Sequence, residues 1–84
     1  MFYVYVLKSQ KDGLCYVGST NDLRRRFEQH NKGDVQSTRP RRPLDLIYYE
    51  AYRAEKDARV REANLKLKSR AYAQLYKRIR ESMK

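Results

Sequence analysis

Near its start the chain carries an unbroken β-branched and aromatic run, Phe2-Tyr3-Val4-Tyr5-Val6-Leu7, which constrains the fold more than any other segment. Residues of this kind favour a pleated strand. Ser9-Gln10-Lys11-Asp12-Gly13 is turn-forming, and Leu14-Cys15-Tyr16-Val17 resumes the strand pattern. Together the two runs predict an antiparallel hairpin. With the turn centred between Gln10 and Lys11, Tyr5 is expected directly opposite Tyr16, their β-carbons about 5 Å apart on one face. Taken alone, such a pair is an ordinary aromatic rung.

Gly18 releases the second strand, and Ser19-Thr20-Asn21-Asp22 offers helix-capping side chains. A helix from about Leu23 to His30 is expected to stop at Asn31-Lys32-Gly33. At about 100° per residue, Leu23, Phe27 and His30 share one face and Arg26 lies along its edge. Arg25 points away and Arg24 sideways, so both are candidates for solvent or phosphate. Residues 34–43 read as a mobile, proline-punctuated connector whose Arg39, Arg41 and Arg42 could grip a nucleic-acid backbone. A solvated loop is an equally good account of any one of them.

Leu44 to Tyr49 is expected as a third strand and Ala54 to Leu67 as a helix with Ala58, Glu62 and Leu65 along one side. A last helix is expected from near Ser69, with Tyr72, Leu75, Tyr76 and Ile79 at core spacing. The order β-β-α-β-α-α describes an α+β domain, a small three-stranded antiparallel sheet flanked by helices.

At 84 residues the chain is expected to form a single domain, 1–84, with one modest core. Eight Tyr and no Trp suit a small core rimmed by amphipathic rings. The single Cys15 excludes an internal disulfide and a cysteine zinc site, and fits a reducing compartment. No apolar run approaches the ~20 residues of a membrane span, and the first residues read as strand rather than leader. A soluble cytoplasmic protein is therefore expected. Twenty Lys plus Arg against ten Asp plus Glu give a net charge of +10. That excess favours polyanionic partners through phosphate contacts and counterion release, and by itself says nothing of catalysis.

Tyr3-Val4-Tyr5, Tyr16-Val17-Gly18, Arg26 with His30 one turn on, and Glu62 on a later helix together resemble the GIY-YIG nuclease domain in its small bacterial form. The resemblance covers nearly the whole chain. Tyr3 stands where the first motif has glycine, and Asn64 and Gln74 are the amides nearest to the asparagine that the family carries beyond its glutamate. The resemblance implies the GIY-YIG fold and endonucleolytic hydrolysis of DNA, on structured or damaged substrates in repair or recombination. It also implies one Mg²⁺ or Mn²⁺ ion on Glu62, Arg26 on the scissile phosphate, and Tyr5, Tyr16 or His30 handling the proton of the attacking water.

Residue by residue, plainer readings exist. Tyr5 and Tyr16 could be a packing pair, His30 a dipole-favoured helix end, and Arg26 and Glu62 solvated charges. A non-catalytic basic nucleic-acid-binding module that keeps the fold is the main alternative to the endonuclease. An adaptor domain whose charge serves a protein partner is a third.

Overall fold

The computed structural model describes residues 1–67 and 70–84. Strand β1 (Phe2–Ser9) is flanked by β2 (Cys15–Thr20) on one side and β3 (Leu44–Tyr52) on the other, all antiparallel. Its central position explains why Val4, Tyr5, Val6 and Leu7 are all buried instead of alternating. Both of its faces are covered. Helix α1 (Leu23–Lys32) brings Leu23 and Phe27 against Tyr5, Leu7 and Leu44. Helices α2 (Glu55–Lys66) and α3 (Arg70–Arg78) bring Ala58, Leu65 and Leu75 against Val4, Val6 and Val17, with Ile79 just beyond α3. Fully burying aliphatic side chains of this size contributes about 1.5–3 kcal/mol each. The expected α+β order β-β-α-β-α-α is therefore the observed one, with short 3-10 turns added at Arg39–Arg41 and Arg80–Met83.

The hairpin register differs from the expected one. Tyr5 pairs with Gly18, and Tyr16 with Leu7. The turn is the cause. Ser9 Oγ accepts from the Lys11 and Asp12 amides at 3.1 and 3.2 Å, and Gly13 takes a left-handed φ of 72°. These contacts move the turn centre between Lys11 and Asp12. The slip is two residues, so the parity of the strand is kept and both tyrosines still face α1.

Helix α1 is capped as its sequence suggests. The Asp22 carboxylate accepts from the Arg25 amide at 3.2 Å, and Gly33 ends the helix at φ 86°. Strand β3 runs three residues past the expected Tyr49, because Glu50, Ala51 and Tyr52 continue the ladder with Val4, Tyr3 and Phe2. The start expected for α3 at Ser69 lies outside the described residues.

The connector is tied down, contrary to the mobile loop expected. Its own Val35 and Thr38 are buried. Arg39 Nε donates to the Gly33 carbonyl at 2.7 Å, and Arg42 Nε to the Arg39 carbonyl at 2.9 Å. Asn31 forms a two-way bond with the Leu44 backbone at 2.8 and 3.0 Å. Part of the reason is the carbonyl of Gly33 at the end of α1, which the Arg39 guanidinium satisfies.

Candidate active site

Tyr5 stands on the central strand directly across from Gly18, and its phenol crosses over that glycine. A β-carbon at position 18 would lie 2.5 Å from Tyr5 Oη and 2.6 Å from Cζ. The glycine of Tyr16-Val17-Gly18 is thus the space that the Tyr5 ring occupies. Carried past the strand, the hydroxyl meets His30 of α1, with 2.8 Å between Oη and Nε2. The other ring nitrogen, Nδ1, lies 2.8 Å from Thr38 Oγ1, which in turn donates to the Val35 carbonyl at 3.5 Å. With Thr38 donating onward, His30 Nδ1 carries the proton and Nε2 accepts from Tyr5.

Tyr5, His30 and Thr38 are all fully buried. Burial pushes the Tyr5 phenol up to about 12, against the lowering effect of a hydrogen bond from Arg26, with the Tyr16 and Glu62 charges adding to the rise. Burial, helped by the Arg26 charge, pushes His30 down to about 4. At neutral pH the pair is a protonated phenol donating to a neutral imidazole.

Tyr16 faces the same imidazole from β2. Its ring is 5.1 Å from that of His30 and 6.5 Å from that of Tyr5. Arg26 is half-buried, and its Nη1 donates to Gln29 Oε1 at 3.2 Å. It lines a cleft of about 390 Å³ with Ser19, Asp22, Arg25, Gln29 and Arg59. Arg24 lies on the far side of α1, in a separate groove with Tyr3, Phe27 and Tyr49.

Glu62 comes from α2, across the edge strand β2. Its Oε1 accepts from Ser19 Oγ at 2.6 Å, and its Oε2 is 2.7 Å from Lys66 Nζ. Burial alone would raise this carboxyl, but the Lys66 and Ser19 hydrogen bonds outweigh it and hold Glu62 below the usual range. Its neighbour Arg61 reaches the other way, forking onto Glu50 of β3 at 2.9 Å, where Tyr48 and Tyr52 also donate. Helix α2 is thereby clamped to both outer strands, through Glu62 on Ser19 of β2 and Arg61 on Glu50 of β3.

Tyr5, Tyr16 and His30 are therefore packed together, with Arg26 and Glu62 within electrostatic reach of the Tyr5 phenol, and the five come from four different elements. Of the basic residues, Arg25 borders this cleft, whereas Arg39 and Arg42 flank a second groove with Lys11 at the end of α1. Arg41 is engaged by Asp12 at 3.1 Å. Asn64 and Gln74 are exposed, on α2 and α3 respectively. Ser19, Gln29, Thr38 and Lys66 are part of the site without having been singled out from sequence. Lys66 was within reach of a spacing rule, four residues past Glu62 on one helix. Ser19 passed as a capping residue, and Thr38 carries no local signal at all.

Among the described residues no three His, Cys, Asp or Glu side chains cluster. A zinc-like cage is therefore not formed there. One ionised carboxylate beside a hydroxyl does suit a hard cation that keeps most of its own waters, as Mg²⁺ and Mn²⁺ do. Glu62 is the residue that would hold it. No helix among the described residues is long and apolar enough to cross a membrane.

Comparison with known proteins agrees with this architecture. A family profile for the GIY-YIG catalytic domain matches residues 1–79. A UPF0213 protein of Bacillus pumilus is 41% identical over 75 residues, which is 88% of this chain and 76% of the relative. One from Streptococcus pneumoniae is 44% identical over 69 residues, 81% of this chain and 69% of the relative. The solution NMR structure of a UPF0213 protein from Bacillus halodurans superposes with a TM-score of 0.55 at 34% identity, over 89% of this chain and 81% of that one. With the GIY-YIG profile matched over residues 1–79, the chain belongs to the GIY-YIG family.

Proposed function

We propose that the protein is a divalent-metal-dependent endonuclease that hydrolyses phosphodiester bonds in DNA. One observation carries the reading: the phenol of a buried, hydrogen-bonded Tyr5–His30–Thr38 chain lies within electrostatic reach of both Arg26, which lines the cleft, and Glu62. A packing pair of tyrosines would not need a buried, neutral histidine behind it.

Hydrolysis needs an oriented water, compensation of charge on the phosphate, and help for the leaving oxygen. The Arg26 guanidinium, braced by Gln29, binds the phosphate through its planar fork. Tyr5 is a poor base by itself, since its phenol sits near 12. In a relay it need never ionise. Its oxygen takes the proton of water while its own proton passes to His30 Nε2, and Thr38 holds the ring in the accepting tautomer. The imidazolium this forms is costly in so buried a place, and negative charge growing on the nearby phosphate offsets that cost. Tyr16 packs on the imidazole edge. A divalent cation on Glu62 would supply Lewis-acid stabilisation of the phosphate oxygens. Arg24, Arg25 and Arg42 are proposed to hold the flanking backbone, whereas Arg39 and Arg41 are committed to the fold through Gly33 and Asp12.

The test is a cleavage assay on duplex, single-stranded, flap and junction DNA with Mg²⁺ or Mn²⁺. Wild type should cut at least one form, and Glu62→Ala and Arg26→Ala should lose that activity while remaining folded. Folded wild type that binds DNA salt-sensitively and cuts none of these forms would instead be the non-catalytic binding module.

A further inference from the structure

Lys66 has no part in the mechanism above, yet it sits on the one carboxylate that the mechanism requires. Its Nζ lies 2.7 Å from Glu62 Oε2 and 5.9 Å from the centre of the Tyr16 ring. The other Glu62 oxygen is engaged by Ser19 at 2.6 Å. The pair is lopsided. The Glu62 side chain is 19% exposed and that of Lys66 50%, so the carboxylate is held inside and the ammonium stands at the margin, across the approach to Oε2. A plain surface pair of the same spacing, Arg59 with Glu55, is open at both ends at 71% and 56%.

A hard dication must touch the carboxylate oxygen directly, at about 2.0–2.1 Å. An ammonium hydrogen-bonded to that same oxygen would then face the dication at close range, and the two positive charges repel. A half-exposed lysine can leave at little cost, because its ammonium regains water. Resting on the reading of Glu62 as the metal ligand, we propose that Lys66 and the divalent cation are alternative occupants of Glu62 Oε2, so that cation binding proceeds by exchange with the Lys66 ammonium. The exchange has a use. Without metal, Lys66 compensates a carboxylate that would otherwise repel an approaching phosphodiester. Once displaced, the ammonium remains tethered beside Tyr16, where a phosphate anion can accept from it.

The experiment is titration with Mn²⁺ alone, without nucleic acid, following free Mn²⁺ by electron paramagnetic resonance. Four proteins are compared at one ionic strength: wild type, Lys66→Met, Lys66→Arg and Glu62→Gln. Exchange predicts about two- to fivefold tighter Mn²⁺ binding for Lys66→Met, no gain for Lys66→Arg, and loss of the site in Glu62→Gln. Wild type supplies a readout free of substitution: the Lys66 side-chain carbon-13 resonance should shift as diamagnetic Mg²⁺ saturates the site. If Glu62→Gln abolishes binding but Lys66→Met binds no tighter than wild type, or the Lys66 resonance stays in place at saturation, the exchange is wrong and the metal site stands. If Glu62→Gln binds Mn²⁺ as wild type does, Glu62 is not the ligand and both readings fall.

Discussion

The Tyr5 hydroxyl donates to the Nε2 of a histidine with no solvent of its own. Tyr5→Phe should leave that buried acceptor unpaired and cost about 1–3 kcal/mol, read by urea denaturation. The same change removes the relay and should reduce cleavage by about a hundredfold or more, an outcome that a purely packing tyrosine would not give. His30 makes a second prediction, and its sign is fixed by the direction of the shift. An imidazole held down to about 4 refuses a proton that the unfolded chain accepts near 6.5. Stability from the neutral ring is complete above about pH 6.5 and is lost as pH falls through that window, on the order of 3 kcal/mol in all. Denaturation of wild type and His30→Gln at about pH 7.5 and about pH 5 checks this. The wild type should lose more stability between the two, and equal losses would mean that His30 is not buried neutral. Tyr5, Tyr16, Arg26, His30 and Glu62 were all legible as candidates in the sequence, through the resemblance to the GIY-YIG domain that they carry together. Thr38 was not, since its role depends on a connector folding back under α1.

At the scale of elements, the site depends on the hairpin register and on the rotation of α2. Gly18→Ala should force the Tyr5 ring out of place, because the new β-carbon would come within 2.5 Å of its hydroxyl. The expected loss is about 1–3 kcal/mol, as for other overpacked positions, with activity lost alongside it. Thermal unfolding and the cleavage assay read the two effects. A Gly18→Ala protein of wild-type stability and activity would show that Tyr5 does not need this space. The hairpin itself was legible from two β-rich runs around a turn. Its register was not, because the Ser9 side chain and the left-handed Gly13 decide where the turn closes. Parity survived the error because the slip was even, and parity is what places Tyr5 and Tyr16 on the α1 face.

Across the whole molecule, the net charge of +10 is unevenly committed. Arg25 and Arg26 border the cleft, whereas Arg39 caps α1 and Arg41 is held by Asp12, with its Nη2 buried and unpartnered. DNA affinity should fall steeply with salt, by about 0.9 in log K per log unit of salt for each phosphate neutralised. Arg25→Ala should reduce that slope by about 1. Arg41→Ala should act chiefly on stability, by weakening the seam between the connector and the hairpin turn. Affinity measured across a salt series, beside melting curves, separates the two. Equal slope changes for both arginines would contradict the division.

Local sequence determined the elements, the caps of α1 and the basic character of the molecule, because strand and helix periodicity and capping act over a few residues. Tertiary structure alone decided which arginines are free for a phosphate and which close the fold. It also set Tyr5 over Gly18, put Thr38 behind His30, and brought Glu62 to Ser19. Those outcomes depend on contacts between elements distant in sequence, where burial and hydrogen-bond satisfaction outweigh any local preference.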